Sequence, residues 1–326
     1  MKQVKISPAV FAGTVIASLI VGALVWRSSA PYRGMGRRLL FSHKEDARYG
    51  PWSIGIYTGQ SPFEITDPAE ISNPVLTGKD VKDIDARFVA DPFMVVEGGK
   101  LYLFFEAWNR TTSQGDIGYA ESVDGTKWDY KRIIIDEPFH LSYPYVFQWN
   151  NEHYMIPESG HDLSVRLYKA RSFPDKWEYL GNLLSGFRLV DSSILRYKDK
   201  WWLFVTSSPP GDALNVFYSD DLLNGWTPHP QNPVVKFSRH FSRSGGRVII
   251  HDGHLYRFAQ DDDPQYGMQV FAFEVTQLSE ESYEEKLMEK PIVTMTGHGW
   301  NGMGMHNVDP HLVQGKWIAA VDGKDR

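Results

Sequence analysis

Residues 91–106 read DPFMVVEGGKLYLFFE: two apolar runs flank the pair Gly98-Gly99, and an acid stands at each end. Apolar runs on either side of a two-residue turn specify a β-hairpin. The pattern returns as YPYVFQWNNEHYMIPE (143–158), DSSILRYKDKWWLFVT (191–206), GGRVIIHDGHLYRFAQ (245–260) and a shorter DPHLVQGKWIAAVD (309–322). Their expected turn pairs are Asn150-Asn151, Asp199-Lys200, Asp252-Gly253 and Gln314-Gly315. The first three hairpins lead into alternating strands, DIGYAES (116–122), SVRLYKA (164–170) and NVFYSDD (215–221). A tryptophan turn follows each strand, and Trp128, Trp177 and Trp226 are spaced 49 and 49 residues apart.

Five units of about four strands predict an all-β fold, a five-bladed β-propeller. The fifth unit has two strands, and its outer pair is expected from WSIGIYTG (52–59) and PFEIT (62–66), so strands from both termini close the ring and leave no open edge. The domain spans 51–326. LSEESYEEKLMEK (278–290), with Ser279 as a cap and acids in its first turn, reads as one helix inserted in blade four.

The chain of 326 residues has no cysteine, which removes thiol catalysis, thiolate metal sites and disulfides together. Its net charge of −6 hides a division. Residues 1–50 hold eight bases against Glu45 and Asp46, a net of +6, so the remainder carries −12. A body that acidic repels a phosphate backbone, and no nucleic-acid partner is expected. Ile6–Trp26 is uncharged and about the length that crosses a bilayer as a helix. We read 1–26 as a single-pass membrane anchor, with a cleaved signal peptide as the competing reading, and 27–50 as a basic juxtamembrane linker. The flanking bases do not fix which side the body occupies.

In a propeller the ends of each inner hairpin meet at one face of the central channel. Here they pair Asp91 with Glu106, Tyr143 with Glu158, Asp191 with Thr206, Gly245 with Gln260, and Asp309 with Asp322. Arg87, His140, Arg188, Arg247 and His306 stand close by in sequence. Crowded carboxyls differ in pKa, so one stays protonated while another stays ionised. Glycosidic-bond chemistry needs that division of labour. An Asp that merely caps a strand end is the bland reading of any one of them; Asp91, Glu158 and Asp191 together point to a site.

The Asp-Pro-Phe at a blade start, the five units and the hairpin-end acids resemble the five-bladed superfamily of arabinanases, xylosidases, levansucrases and invertases. Closer still, ADPFMVVEGGKLYLFFE (90–106), SYPYVFQWNNEHYMIPES (142–159) and MHNVDPHLVQGKWIAAVDGKDR (305–326) resemble the propeller region of glucosamine inositolphosphorylceramide transferases of plants and their bacterial relatives, over 87–326. In the plant enzymes a separate glycosyltransferase domain accompanies the propeller, and 326 residues leave no room for one, so the transferase activity does not carry over. The hydrolase resemblance implies Asp91 as base or nucleophile and Asp191 as the orienting carboxylate. Its acid, a Glu at another blade start, is absent where this chain has Ser244-Gly245-Gly246-Arg247. Glu158 is the candidate replacement. Glu106, Tyr143, Arg188, Arg247, Gln260, His306, Asp309 and Asp322 are the expected substrate contacts.

The leading expectation is a membrane-held propeller acting on a carbohydrate or glycolipid, by hydrolysis or transfer, the superfamily resemblance favouring a periplasmic or lumenal body. The alternative is a noncatalytic carbohydrate-binding module serving a partner glycosyltransferase, and a third reading is a plain scaffold. No cofactor or metal is expected, because His298, His306 and His311 lack ligand spacing. Among Trp108, Tyr143, Trp149, Trp201, Trp202 and Trp300, most are expected to pack between blades and not under a sugar. DDDP (261–264) reads as a solvated turn, and GHGWNGMGMHN (297–307) as a flexible channel loop.

Overall fold

The structure, a computed structural model, describes residues 50–207 and 213–326. The anchor expected over 1–26 and the linker up to residue 49 lie outside them. Among the described residues no helix is long and apolar enough to cross a membrane.

The strands are β1 (Trp52–Ser61) and β2 (Glu64–Thr66), followed by four complete blades. Blade one is β3 (Ala86–Glu97), β4 (Lys100–Asn109), β5 (Gln114–Ser122) and β6 (Asp129–Ile135). Blade two is β7 (Ser142–Trp149), β8 (Glu152–Ser159), β9 (Ser164–Ser172) and β10 (Lys176–Ser185). Blade three is β11 (Leu189–Tyr197), β12 (Lys200–Ser207), β13 (Ala213–Ser219) and β14 (Thr227–Pro228). Blade four is β15 (Ile249–His251), β16 (His254–Asp261), β17 (Gln269–Leu278) and β18 (Tyr283–Leu287), with β19 (Val293–Thr294) also pairing β17. Blade five joins β20 (Val308–Val313) and β21 (Lys316–Lys324) to the first two strands, in the order β2-β1-β21-β20. Five antiparallel sheets form a five-bladed propeller, closed by strands from both ends of the described residues.

Alternation along each strand builds the core. Phe104 packs with Val146, Met155 and Tyr168 of blade two, while its neighbour Phe105 packs with Ile54 and Ile56 of blade five. Each of five apolar clusters fills one gap between adjacent blades. Burying both faces of a sheet in this way gives a closed ring that needs no disulfide.

Two expectations about local structure are corrected. Residues 278–290 form no helix: Leu278 ends β17, Ser279 caps a tight turn, and Tyr283–Leu287 pairs back as β18. Pairing with an open sheet edge outweighs the helix propensity of the Glu/Lys-rich segment, and those charges then protect the blade's outer edge. In blade three the turn pair is Lys198-Asp199, one residue earlier than expected, because Tyr197 pairs with Lys200. Both residues have positive φ, as do the turn pairs of the other inner hairpins, the requirement of a type I′ turn.

Candidate active site

The inner strands of blades one to three share one irregularity. Ala90 pairs with Glu106 and Phe93 with Phe104, so Asp91 and Pro92 oppose a single residue. Ser142/Glu158 with Tyr145/Ile156, and Val190/Thr206 with Ser193/Phe204, repeat the bulge. The bulged residues Asp91, Tyr143 and Asp191 have φ of 52°, 44° and 50°. A bulge re-aims a side chain that strand alternation would send between blades. It also frees backbone N–H groups, and acids of the preceding blade capture two of them. Asp91 N donates to Asp322 Oδ2 at 3.1 Å, and Tyr143 N donates to Asp91 Oδ2 at 3.2 Å.

Blade five departs from the expected alignment. Asp309 pairs with Ala320 and Val308 with Val321, so the residue facing Asp322 at the hairpin end is Asn307, whose N–H donates to Asp322 Oδ1 at 3.0 Å. The fifth hairpin is therefore as long as the others, and Asp309 lies two residues deeper than Asp91 does. There it meets Arg247, whose Nε donates to Asp309 Oδ1 at 2.6 Å while Nη1 donates to Val146 O at 2.8 Å. The guanidinium lies 4.8 Å from the Tyr145 ring centre. Burial alone would raise the Asp309 pKa, but Arg247 and His311 outweigh it and hold it at about 2. This saturated pair lies two residues further along the inner strands than the hairpin ends. The Tyr143 hydroxyl is likewise occupied, by Ser193 and both backbone polar groups of Gly246. Gln260 bonds Asp191 and Ser244 O. Of the expected substrate contacts, Arg247, Asp309, Tyr143 and Gln260 thus serve the surrounding frame.

Above this floor a pocket opens, lined by Asp91, Glu106, Glu158, Arg188 and His306 among others. His306 bridges two carboxylates, with Nε2 3.2 Å from Asp91 Oδ1 and Nδ1 2.8 Å from Asp322 Oδ2. The second contact is an ion pair rather than a well-aimed hydrogen bond. Burial disfavours the imidazolium, yet the two acids outweigh it and hold the His306 pKa well above its ordinary value. Burial also pushes Asp91 upward, and His306, Arg243 and the Tyr143 N–H more than reverse it, so Asp91 stays ionised. Asp91, His306 and Asp322 are the one set among the described residues whose atoms could converge on a metal ion.

The other acids behave oppositely. Burial, then the charges of Asp91 and Glu158, raise Glu106 well above the ordinary carboxyl range. Burial, then Asp191, raise Glu158 to about 8. Glu158 is hydrogen-bonded to Asp191 and accepts from Ser142 Oγ at 3.2 Å. Asp191 sits directly behind the pocket wall, paired with the Arg243 guanidinium. Burial raises Asp191 as well, Arg243 opposes it, and the shared proton rests on Glu158. One pocket therefore holds a carboxylate kept ionised, Asp91, beside two carboxyls, Glu106 and Glu158, that burial and like charge push upward.

Aromatic walls flank these groups. Trp52 lies 4.2 Å from the His306 ring, Tyr266 lies 5.3 Å from it, and Trp108 stacks on Phe88 at 5.7 Å. Trp201 and Trp202 are buried between blades, as expected of most tryptophans. Segment 297–307 is pinned, through Asn301 Nδ2 to Tyr57 OH at 2.8 Å and Met303 N to Lys324 O at 2.8 Å, and so holds His306 in place. Asp261 and Asp262 are buried, correcting the solvated turn: Asp261 binds His240 and Gln269, and Asp262 accepts from Gly267 N.

The family described as glucosamine inositolphosphorylceramide transferase 1, N-terminal, matches residues 44–324. The chain belongs to this family. Glucosamine inositolphosphorylceramide transferase 1 of Oryza sativa subsp. japonica is 36% identical over 345 residues, covering 97% of this chain and 46% of the relative. Its Arabidopsis thaliana counterpart is 36% identical over 301 residues, covering 84% and 39%. The chain thus spans less than half the length of these relatives. Among solved structures, a glycosyl hydrolase from Bacteroides ovatus (TM-score 0.59, 12% identity) covers 82% of this chain and 94% of its own. The catalytic domain of a Coprinopsis cinerea α-L-arabinofuranosidase (TM-score 0.56, 12% identity) covers 84% and 97%. At such identity the likeness is one of fold.

For this member of the glucosamine inositolphosphorylceramide transferase 1 N-terminal family, sequence reasoning missed Trp52, Phe88, His161, Arg243 and Tyr266, all of which line the pocket. Trp52 and Phe88 lie at the starts of β1 and β3, whereas His161, Arg243 and Tyr266 come from connections between strands. Arg243 alone carried a signal, a base two residues ahead of a hairpin start.

Proposed function

We propose that the propeller acts on the sugar portion of a glycan or glycolipid, breaking or transferring a glycosidic bond. Asp91 is base or nucleophile, Glu158 the acid, and Asp191 the carboxylate that orients Glu158 and raises its pKa. The observation that carries this reading is an ionised Asp91 and a protonated Glu158 lining one pocket. Protonation of the leaving oxygen by Glu158 leaves its negative charge beside Arg243, which lowers the cost of forming it. Glu158 thereby substitutes for the acid that blade four lacks at Gly245-Gly246. The family's printed name supports a glycolipid as the substrate class, and the apolar run at 6–26 supports retention at a membrane. Asp91→Asn should abolish turnover of a glycolipid substrate while folding and sugar affinity persist; full turnover in that variant excludes the assignment.

A noncatalytic role, presenting a glycan to a partner glycosyltransferase, is favoured by one observation: the glycines at the blade-four start. Glycan binding without bond cleavage or transfer in product analysis would select it.

A further inference from the structure

The rim of the pocket carries side chains that neither the acid–base reading nor the packing of the blades uses. Of the described phenylalanines only Phe187 and Phe237 are exposed, at 62% and 76%, and both stand on connections at the pocket's mouth. Phe187 precedes Arg188, which lines the pocket, and the turn that begins at Phe237 runs into Arg243, which lines it too. Leu163, half exposed, lies beside the Phe187 connection, because Gly186 N donates to Leu163 O at 2.8 Å. Ser242 N donates to Ser238 O at 3.0 Å and Asp262 N to Arg239 O at 2.8 Å, so Phe237 is presented by an ordered turn. Leu163 and Phe237 have φ of 54° and 51°, a conformation that turns usually give to Gly or Asn, so two exposed apolar side chains are held there at a cost in strain.

Their neighbours are basic. Arg188 follows Phe187, and Lys236 and Arg239 flank Phe237. Asp162, beside Leu163, is already paired with Arg166 at 2.8 Å. On the opposite face the exposed residues are aliphatic, and Val96, Val123 and Ile250 have Glu97, Asp124 and Asp252 within two positions. Aromatic side chains set among bases are the composition of a surface that dips into a bilayer with anionic headgroups, whereas acids are repelled by it. The point where the chain enters the fold agrees. Trp52, at the start of β1, lines the same pocket, so the apolar run 6–26 and the bases of 27–48 connect to the propeller at its mouth.

We propose that the mouth of the propeller docks on a lipid bilayer with anionic headgroups, inserting Phe187, Phe237 and Leu163. The inference rests on retention of the chain at a membrane and on the pocket being a glycan site. It adds that the pocket opens onto the headgroup layer, where a sugar carried on a lipid is reached without leaving the membrane.

The chain has no cysteine, so single labels can be placed on the full chain. Phe187→Cys and Phe237→Cys, with Val123→Cys and Ile250→Cys from the opposite face, are each labelled with bimane and reconstituted in vesicles of phosphatidylcholine and phosphatidylserine. All four positions are exposed, so their replacement leaves the core intact. Doxyl-labelled lipid should quench the two mouth labels by at least about twofold, since inserted side chains lie roughly 5 to 10 Å into the interface, and should leave the two opposite labels unchanged. Quenching equal on both faces, or confined to the opposite one, overturns the proposal. Mouth labels shielded from aqueous iodide yet untouched by the lipid quencher mean that a second copy covers the face, which also overturns it. A chain that fails to float with the vesicles refutes membrane retention as well; one that floats with its mouth labels unquenched refutes the docking alone. The catalytic assignment is read by turnover of Asp91→Asn and stands or falls separately.

Discussion

Replacing Glu158 by Gln tests the division of labour in the pocket through two independent readouts. With a pKa of about 8, Glu158 is about nine-tenths protonated at pH 7 and about one-tenth at pH 9. Activity should therefore fall tenfold per pH unit above about 8, while the acid limb, set by ionisation of Asp91, lies below the ordinary carboxylate range. Glu158→Gln should lose roughly 10²- to 10⁴-fold in kcat/KM on a glycan with a poor leaving group, the usual contribution of a general acid. An aryl glycoside whose leaving group needs no proton should lose far less. The remaining activity should show no basic limb. Stability supplies the second readout. The folded protein retains a proton that the unfolded chain releases between pH 4.5 and about 8, so stability falls as pH rises through that window. A rise of about 3.5 in pKa corresponds to about 5 kcal/mol at 1.36 kcal/mol per unit, divided with Asp191. Gln cannot ionise, so urea denaturation should show the variant gaining on the native protein from pH 5 to 9. A basic limb that persists unchanged in Glu158→Gln refutes the reasoning.

Four further outcomes follow from the geometry. His306→Gln leaves Asp91 and Asp322 without their shared cation; unfolding free energy should fall by about 3 to 5 kcal/mol and the acid limb of the rate profile should move upward. Arg247→Met strands Asp309 beneath the pocket and should cost about 3 to 5 kcal/mol in denaturation, with the KM of the folded fraction unchanged. Gly246→Ala places a Cβ 1.9 Å from Val308 O at a φ of 146°, so expression as soluble, folded protein should drop sharply by circular dichroism. Trp108→Ala removes the ring stacked on Phe88 at the pocket wall and should raise KM roughly two- to twelvefold, the worth of an aromatic contact.

The repeat was legible because every blade needs a tight turn and alternating faces, and blades one to three add a tryptophan at the start of the fourth strand. Trp128, Trp177 and Trp226 each donate from the indole to a carbonyl three or four residues upstream, which is why their spacing survives. Asp91, Glu106, Glu158 and His306 came with that register. Blade five misled because Asp309-Pro310 copies the letters of Asp91-Pro92 while pairing two residues deeper, and only hydrogen-bond register separates them. His161, Arg243 and Tyr266 reach the pocket from connections between strands, and no period locates such residues. The charge states of Glu106 and Glu158 were likewise invisible, since burial dominates both.

Asp322 belongs to β21, the strand that β1 must find across some 260 residues of chain. It accepts the N–H of Asp91 in blade one and those of His306 and Asn307 in blade five. Contacts of such sequence separation form late. Asp91 therefore sits in a hairpin of local contacts, while the carboxylate that accepts its N–H and shares its His306 cation arrives only when the two ends of the described chain pair as β1 and β21. One long-range pairing thus fixes both the ring and the charge environment of the pocket.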